Sequence, residues 1–289
     1  MKRDVRRAWV VLLLLVAAGA SSRVCAQEVP WSRLPNVDSA SVDEGVRQRA
    51  KAVMEKERCY FECPGTVLSC VTAATPTATS LRIAGFIVRQ VIRGKSDKDI
   101  RTDLMDRARS AHPFKPATLD LKDAPCLGAL DAPVIVAAFA DFDCPFCREV
   151  SPILKKIALD HPGKVTYCLK LFPVKGHGEI AVETSKAGVA AFRLGKFFEF
   201  HDLMYQNFEK HSDRDILGYV TSLGMDATRF VSLRESQATR DAVVASKREG
   251  LKLGVKSTPT IYINGKLYAG EKSAVELRDR VEEELELTK

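Results

Sequence analysis

Along the first hundred residues apolar side chains recur at helical spacing. Val42, Val46, Ala50 and Val53 share one face of a charged stretch and predict a helix over 41–58. Leu81, Ala84, Gly85, Val88 and Ile92 mark a second helix that ends at Gly94. Ile100, Leu104 and Ala108 mark a third, with Ser96 and Asp99 as its cap. Between the first two, Cys59-Tyr60-Phe61-Glu62-Cys63-Pro64-Gly65 stops the helix and leads into a loop that carries Cys70, then a Thr/Ala/Ser/Pro stretch to Ser80.

The second half reads differently. Ala117–Leu121 is expected as a short strand, and Pro133–Ala140 is a nearly continuous apolar run suited to a strand buried on both faces of a sheet. A helix through Ile153, Leu154 and Ile157 follows, then a strand over 165–172. Residues 179–253 read as several helices, with Ala187, Ala190, Ala191, Leu194 and Phe198 on one face. Asn264-Gly265 between Thr260–Ile263 and Lys266–Ala269 is a hairpin signal. An amphipathic helix through Ala274, Leu277, Val281 and Leu285 closes the chain. The pattern predicts a small helical domain over 41–112 and an α/β domain over 117–289, divided at His112-Pro113-Phe114-Lys115-Pro116.

The 289 residues are 46% hydrophobic and 28% charged, which excludes a disordered, collagen-like or polytopic membrane chain and leaves room for two cores. There is no internal repeat, Walker loop or dinucleotide-binding glycine pattern. A basic start, an apolar run from Ala8 to Ala20 and Val24-Cys25-Ala26 predict an export signal over 1–26, cut after Ala26. Thirteen residues make a short membrane span, the other reading of this segment. The leader carries five basic residues against one acid, so cleavage lowers the net charge from +7 to +3 and nucleic-acid binding gains little support. Residues 27–40, with Pro30 and Pro35, read as a loose tether.

Export changes the meaning of the cysteines. Cleavage removes Cys25 and leaves Cys59, Cys63, Cys70, Cys126, Cys144, Cys147 and Cys168, an odd number in a compartment where disulfides persist. Cys144-Pro145-Phe146-Cys147 stands between a strand and a helix. At a helix start, unpaired N–H groups and the helix dipole favour the Cys144 thiolate, the nucleophile of disulfide exchange. Pro145 suits the first helical position, and Cys147, one turn deeper, is placed to resolve a mixed disulfide. A zinc site lacks nearby ligands, haem attachment needs His where Arg148 stands, and a purely structural bridge over so short a loop gains little. Far along the chain, Thr258-Pro259 precedes a strand, a setting for a cis bond that presents the Thr258 backbone to a substrate strand.

Cys144-Pro145-Phe146-Cys147 with Thr258-Pro259 and the helical stretch between them resembles the DsbA-like branch of the thioredoxin superfamily, from about residue 131 to residue 285. Phe139-Ala140-Asp141, Phe172-Pro173 with His177, Gly195-Lys196-Phe197 and Asn264-Gly265 belong to the same likeness. It implies a thioredoxin fold with a helical insertion, preceded here by a small three-helix domain. It also implies disulfide exchange with exported proteins, Cys144 attacking and Cys147 resolving. Pro145, Phe146, Thr258 and Pro259 then form the substrate side, with no diffusible cofactor and with a membrane redox partner. Strongly oxidising members carry His where Phe146 stands, and many keep a buried acid where Ala138 stands, so a less oxidising centre is expected.

Arg58-Cys59 through Cys63, Leu81–Arg93 and Gly94–Ile100 resemble the three-helix domain of CcmH-type cytochrome c maturation proteins. That family has two residues between its cysteines and this chain three, with Cys70 as an alternative partner, so Cys59, Cys63 and Cys70 form a possible second redox group or a structural staple. Three functions follow: a periplasmic thiol–disulfide oxidoreductase, a reductase or relay in cytochrome c maturation, and a non-catalytic peptide-binding chaperone. His161, His177, His201 and His211 are too scattered to suggest a metal site. Cys126 and Cys168 are left as either a bridge or buried small residues. Glu282-Glu283-Glu284 reads as a solvated helix face, and Phe197, Phe198 and Phe200 as packing.

Overall fold

The computed structural model describes residues 28–60 and 63–288, so the expected leader lies outside the described residues. The N-terminal part forms helices α1 (Glu44–Lys56), α2 (Val67–Val71), α3 (Ala78–Ile92) and α4 (Asp97–Ala111). The side chains of Asp43, Thr66, Thr77 and Ser96 each accept a backbone N–H three residues on, which fixes where all four begin. The five-residue α2, too short for a periodic signal, replaces part of the expected loop. Hydrophobic burial around α3 builds the core: Ile83, Ala84, Ile87 and Val88 are fully enclosed by α1 and α2.

Over its described residues, 28–40, the expected tether is not loose. Val29 and Leu34 are buried in this core, two 3₁₀ turns (Trp31–Arg33 and Ser39–Ser41) fold the segment, and Asn36 donates to Asp279 at 3.2 Å. Two apolar side chains among polar neighbours suffice to pin it.

The α/β part contains β1 (Cys126–Leu127), β2 (Val134–Ala140), α5 (Pro145–Asp160), β3 (Val165–Leu171), β4 (Thr260–Ile263), β5 (Lys266–Leu267) and α11 (Ala274–Leu287). Between β3 and β4 lie α6 (Ile180–Arg193), α7 (Phe197–Gln206), α8 (Asp213–Ser222), α9 (Ala227–Glu235) and α10 (Gln237–Lys252). The sheet order is β1-β3-β2-β4-β5, with β2 and β3 parallel and the other pairs antiparallel. Strand β2 is central and buried on both faces, as its unbroken apolar run requires. Val136, Ala138 and Ala140 face α5, α11 and the insertion, and Phe139 faces a smaller cluster with Phe172, Val255 and Tyr262. Asn264 and Gly265 both adopt positive φ, the geometry a two-residue hairpin turn needs.

Ala117–Leu121 is not a strand. Side chains hold its backbone where a ladder was expected: Asp120 N–H donates to Glu249 at 2.7 Å, and the Asp120 carbonyl accepts from Lys170. The edge strand is β1, where Cys126 lies directly opposite Cys168 and is bonded to it. A second disulfide joins Cys63 to Cys70.

The Glu282-Glu283-Glu284 run is not a solvated face. Glu283 and Glu284 are 0% and 2% exposed, because α3 packs on α11, Arg107 of α4 reaches Glu283, and Lys266 and Arg280 pair with Glu284. Arg82, Arg89 and Arg107 reach across to Glu276, Asp279, Glu282, Glu283 and Glu286 at 2.8–3.0 Å. Buried carboxylates are tolerable only with such partners.

Candidate active site

Strand β2 delivers Asp141-Phe142-Asp143 into the turn before α5, and Cys144 is the N-cap with Pro145 at the first helical position. Phe142 is fully buried among Phe197, Phe200 and Tyr205, anchoring the loop in the core. Asp143 accepts from Thr184 at 2.6 Å and pairs with His211 Nδ1 at 2.8 Å. Asp141, with no exposed surface, accepts from the Asp143 and Val174 N–H groups and pairs with His177 Nδ1 at 2.8 Å. The insertion thus clamps the loop through α6 and the segment before α8. Burial works to lower the His211 pKa, but the Asp143 carboxylate outweighs it and holds the imidazole above its usual value.

The two cysteines differ in environment. Cys144 is 3% exposed and Cys147 0%, so of the two sulfurs Cys144 is the one nearer solvent. The Cys144 pKa is lowered to about 5, chiefly by the hydrogen bond from the Cys147 thiol; burial opposes this, and Thr258 with the N–H groups of Cys147 and Phe146 adds to it. Those amides belong to the first turn of α5, at the positive end of its dipole. Burial pushes the Cys147 thiol upward, and the neighbouring Cys144 adds to the shift. One sulfur is poised as a thiolate and the other held as a thiol, the division of labour that an attacking and a resolving cysteine need.

The Thr258–Pro259 peptide bond is cis, and the Thr258 carbonyl accepts from Cys144 Sγ at 3.3 Å. The Thr258 hydroxyl is buried with no partner in the thiol state, so the Cys144 thiolate gives it an acceptor. Thr258→Val is therefore expected to raise the Cys144 pKa by about one unit, the worth of a hydrogen bond to a charged group. Thiolate absorbance followed against pH reads this directly; an unchanged titration would remove the hydroxyl from the account.

Pro145 and Phe146 are both exposed, Phe146 by 66%, while Pro259 is buried beneath the loop. Arg148 lies over the Phe208 ring at 5.4 Å on the same rim. Cys144, Cys147, Thr258 and Pro259 are brought together; Cys63 and Cys70 are bonded to each other in the helical part, and Cys59 is buried there. The Asp141–His177 and Asp143–His211 pairs were not read from the sequence. Their one signal was two acids flanking Phe142 where a buried strand runs into the motif.

The thioredoxin family model Thioredoxin_4 matches residues 120–283. The thioredoxin-like oxidoreductase of Silicibacter pomeroyi DSS-3 superposes with a TM-score of 0.50 at 25% identity, covering 56% of this chain and 91% of that one. Oxidised BdbD of Bacillus subtilis gives 0.50 at 25% identity, covering 59% and 97%. The thiol-disulfide exchange protein alpha-DsbA2 of Wolbachia pipientis shares the fold, with a TM-score of 0.51 at 23% identity over 63% and 97%. Among curated proteins, the Na(+)/H(+) antiporter NhaA 3 of Salinispora tropica is 32% identical over 146 residues, half of this chain. This chain covers about a fifth (22%) of that relative's length. A family match over more than half the sequence, together with the strand order and the helix-capping Cys144, places the chain in the thioredoxin family, with the fold of its DsbA-like members.

Proposed function

We propose that the protein is an exported thiol–disulfide oxidoreductase that exchanges disulfides with protein or peptide clients through Cys144 and Cys147. The observation that carries this reading is the opposed state of the two sulfurs: an acidic thiol at a helix start and a buried, high-pKa thiol one turn below it. Client sulfur meets Cys144 beside the exposed Phe146, and client backbone pairs along Thr258. The Cys63–Cys70 and Cys126–Cys168 disulfides support an oxidising compartment, the periplasm in this reading. No helix among the described residues is long and apolar enough to cross a membrane, and the antiporter activity named for the curated relatives is not carried over.

The Cys144 pKa bounds the reduction potential. A value of about 5 falls between those of a reductant such as thioredoxin, about 7, and the strongest DsbA oxidant, about 3.5. The reduction potential is accordingly expected between about −270 and −120 mV. A glutathione titration of the mature protein, read peptide by peptide through alkylation, measures it. A Cys144–Cys147 pair that never titrates would overturn the redox reading. The same experiment reports on Cys59, Cys63 and Cys70, and titration of Cys63–Cys70 in the same window would favour the relay in cytochrome c maturation over a structural staple.

A further inference from the structure

His211 is buried in the segment between α7 and α8, with both ring nitrogens against oxygen acceptors. Nε2 is 2.9 Å from the Met204 carbonyl, and Nδ1 is 2.8 Å from Asp143 Oδ1. A carbonyl brings no proton, so Nε2 carries one. A carboxylate facing Nδ1 needs a second proton between them, and the ring is an imidazolium. The Met204 carbonyl lies in the last turn of α7, where the helix dipole favours a cation. The other Asp143 oxygen accepts from Thr184 of α6, which has no exposed surface. Asp143 is joined directly to Cys144, the N-cap whose sulfur the Phe146 and Cys147 amides favour as a thiolate.

We propose that His211, as a buried imidazolium between Asp143 and the end of α7, positions the Cys144 loop and strengthens the Cys144–Cys147 pair as an oxidant, a contribution withdrawn as pH rises past neutrality. The proposal rests on the thiol–disulfide exchange reading above. His211 acts through Asp143 and is a positioning residue. Against burial, which works to lower it, Asp143, the Met204 carbonyl and Asp215 of α8 hold the imidazole pKa above its usual value. The cations of the neighbourhood are Lys210, next to it in the chain, and Arg148 of α5. Arg148 lies on the Phe208 ring, which meets the imidazole edge-on at 6.0 Å. His177 pairs instead with Asp141.

A histidine whose pKa rises on folding contributes fully below its unfolded value, about 6.5, and its contribution is lost as pH rises through the folded value. Once the proton leaves, the Nδ1 lone pair faces a carboxylate and the clamp opens. An unpaired Asp143 charge then stands one residue from Cys144. Both changes disfavour the thiolate, which needs donors held in fixed places and no like charge beside it. The Cys144–Cys147 disulfide carries no charge and needs neither. With its thiolate less stable, the reduced pair gives way to the disulfide, and the pair is a weaker oxidant. Oxidised glutathione measures this balance. It takes two electrons from the pair, the Cys144–Cys147 bond forms and the glutathione S–S bond breaks. One glutathione sulfur leaves as a thiol bearing the Cys147 proton, the other as a thiolate.

The test titrates the full chain with glutathione at a series of pH values on both sides of neutrality, in wild type, His211→Gln and His211→Lys. His211→Gln is expected to shift the equilibrium about tenfold towards the disulfide near neutral pH, the equivalent of about one unit in the Cys144 pKa. The gap from wild type should close as pH rises, because the wild type then loses the same charge. His211→Lys keeps a charge throughout, so it should follow the wild type near neutrality and exceed it as an oxidant at higher pH. No gap, or a gap that stays constant with pH as a merely structural role would give, overturns the proposal. Ring nitrogen NMR of the wild type, assigned through the chain, keeps the proposal testable should a variant fail to fold. Both His211 nitrogens should be protonated at about pH 6.5 and one should lose its proton only above it. A neutral His211 ring at that pH overturns the proposal. A wild-type pair that never titrates with glutathione would instead overturn the exchange reading, while the His211 resonances still report its charge.

Discussion

Replacing Cys144 by serine is expected to abolish the reduction of insulin disulfides. With a pKa of about 5, nearly all of the Cys144 sulfur is thiolate at neutral pH, and the thiolate is the attacking species. A serine hydroxyl in the same place is essentially un-ionised and cannot form the mixed disulfide, so a loss of at least about a thousandfold is expected. The exchange of sulfur for oxygen is nearly isosteric at a site 3% exposed, so the fold should persist, with a stability change of about 1 kcal/mol. Cys147→Ser separates the roles of the two sulfurs: attack continues, but the mixed disulfide on Cys144 accumulates and can be trapped with a client peptide. A chaperone that merely binds peptides would retain binding in the Cys144→Ser variant and would never have reduced insulin. Insulin reduction that survives Cys144→Ser would remove Cys144 from the mechanism.

The largest effect on stability is expected at Asp279, far from the redox pair. Its carboxylate has no exposed surface and accepts from Arg82, Arg89 and Arg107, each at 3.0 Å, and from Asn36 at 3.2 Å. Asp279→Ala leaves three guanidinium groups short of a counter-charge, at a cost of about 3–5 kcal/mol. An exposed pair such as Arg101–Glu57 is worth at most about 1 kcal/mol. Because these arginines join α3 and α4 to α11, the variant should release the helical part first. Urea unfolding should then show a separate early transition, and proteolysis should cut between the two parts. A denaturation midpoint and a cleavage pattern like those of the wild type would show that the network does not hold the parts together.

The acid dependence has a definite sign. Burial alone would raise the Asp279 pKa, but the three arginines override it and hold the carboxyl below its usual value. A depressed carboxyl contributes fully above the unfolded value, about 3.9, and its contribution is lost as pH falls through the lower folded value. The joint between the two parts should therefore survive mild acid and fail only below about pH 4.

Local chemistry was legible in the sequence. The strand-to-helix placement of Cys144-Pro145-Phe146-Cys147, the Asn264-Gly265 turn, the Ser96 cap and the two-faced burial of β2 each depend on a few adjacent residues. Such features follow from backbone sterics, orphan helix amides and side-chain periodicity, so they survive without knowledge of distant partners. The boundary errors are of the same local kind: Lys266–Ala269 is expected as a strand, and β5 covers Lys266–Leu267, with one further bond from Tyr268 N–H to the Ile261 carbonyl.

What the tertiary structure alone decided involves partners far apart in the chain. Glu282-Glu283-Glu284 has the composition of a wet surface, and only the docking of Arg107, 176 residues earlier, on Glu283, and of Lys266 with Arg280 on Glu284, makes their burial tolerable. Cys126 finds Cys168 because β1 lies antiparallel to β3, a pairing that no local pattern specifies. His177 and His211 look scattered until the insertion folds back and sets each beside an aspartate of the loop before α5. A charge or a thiol carries no mark of where its partner lies. Its meaning is set by desolvation and by the neighbour that offsets it, and both exist only once the chain is folded.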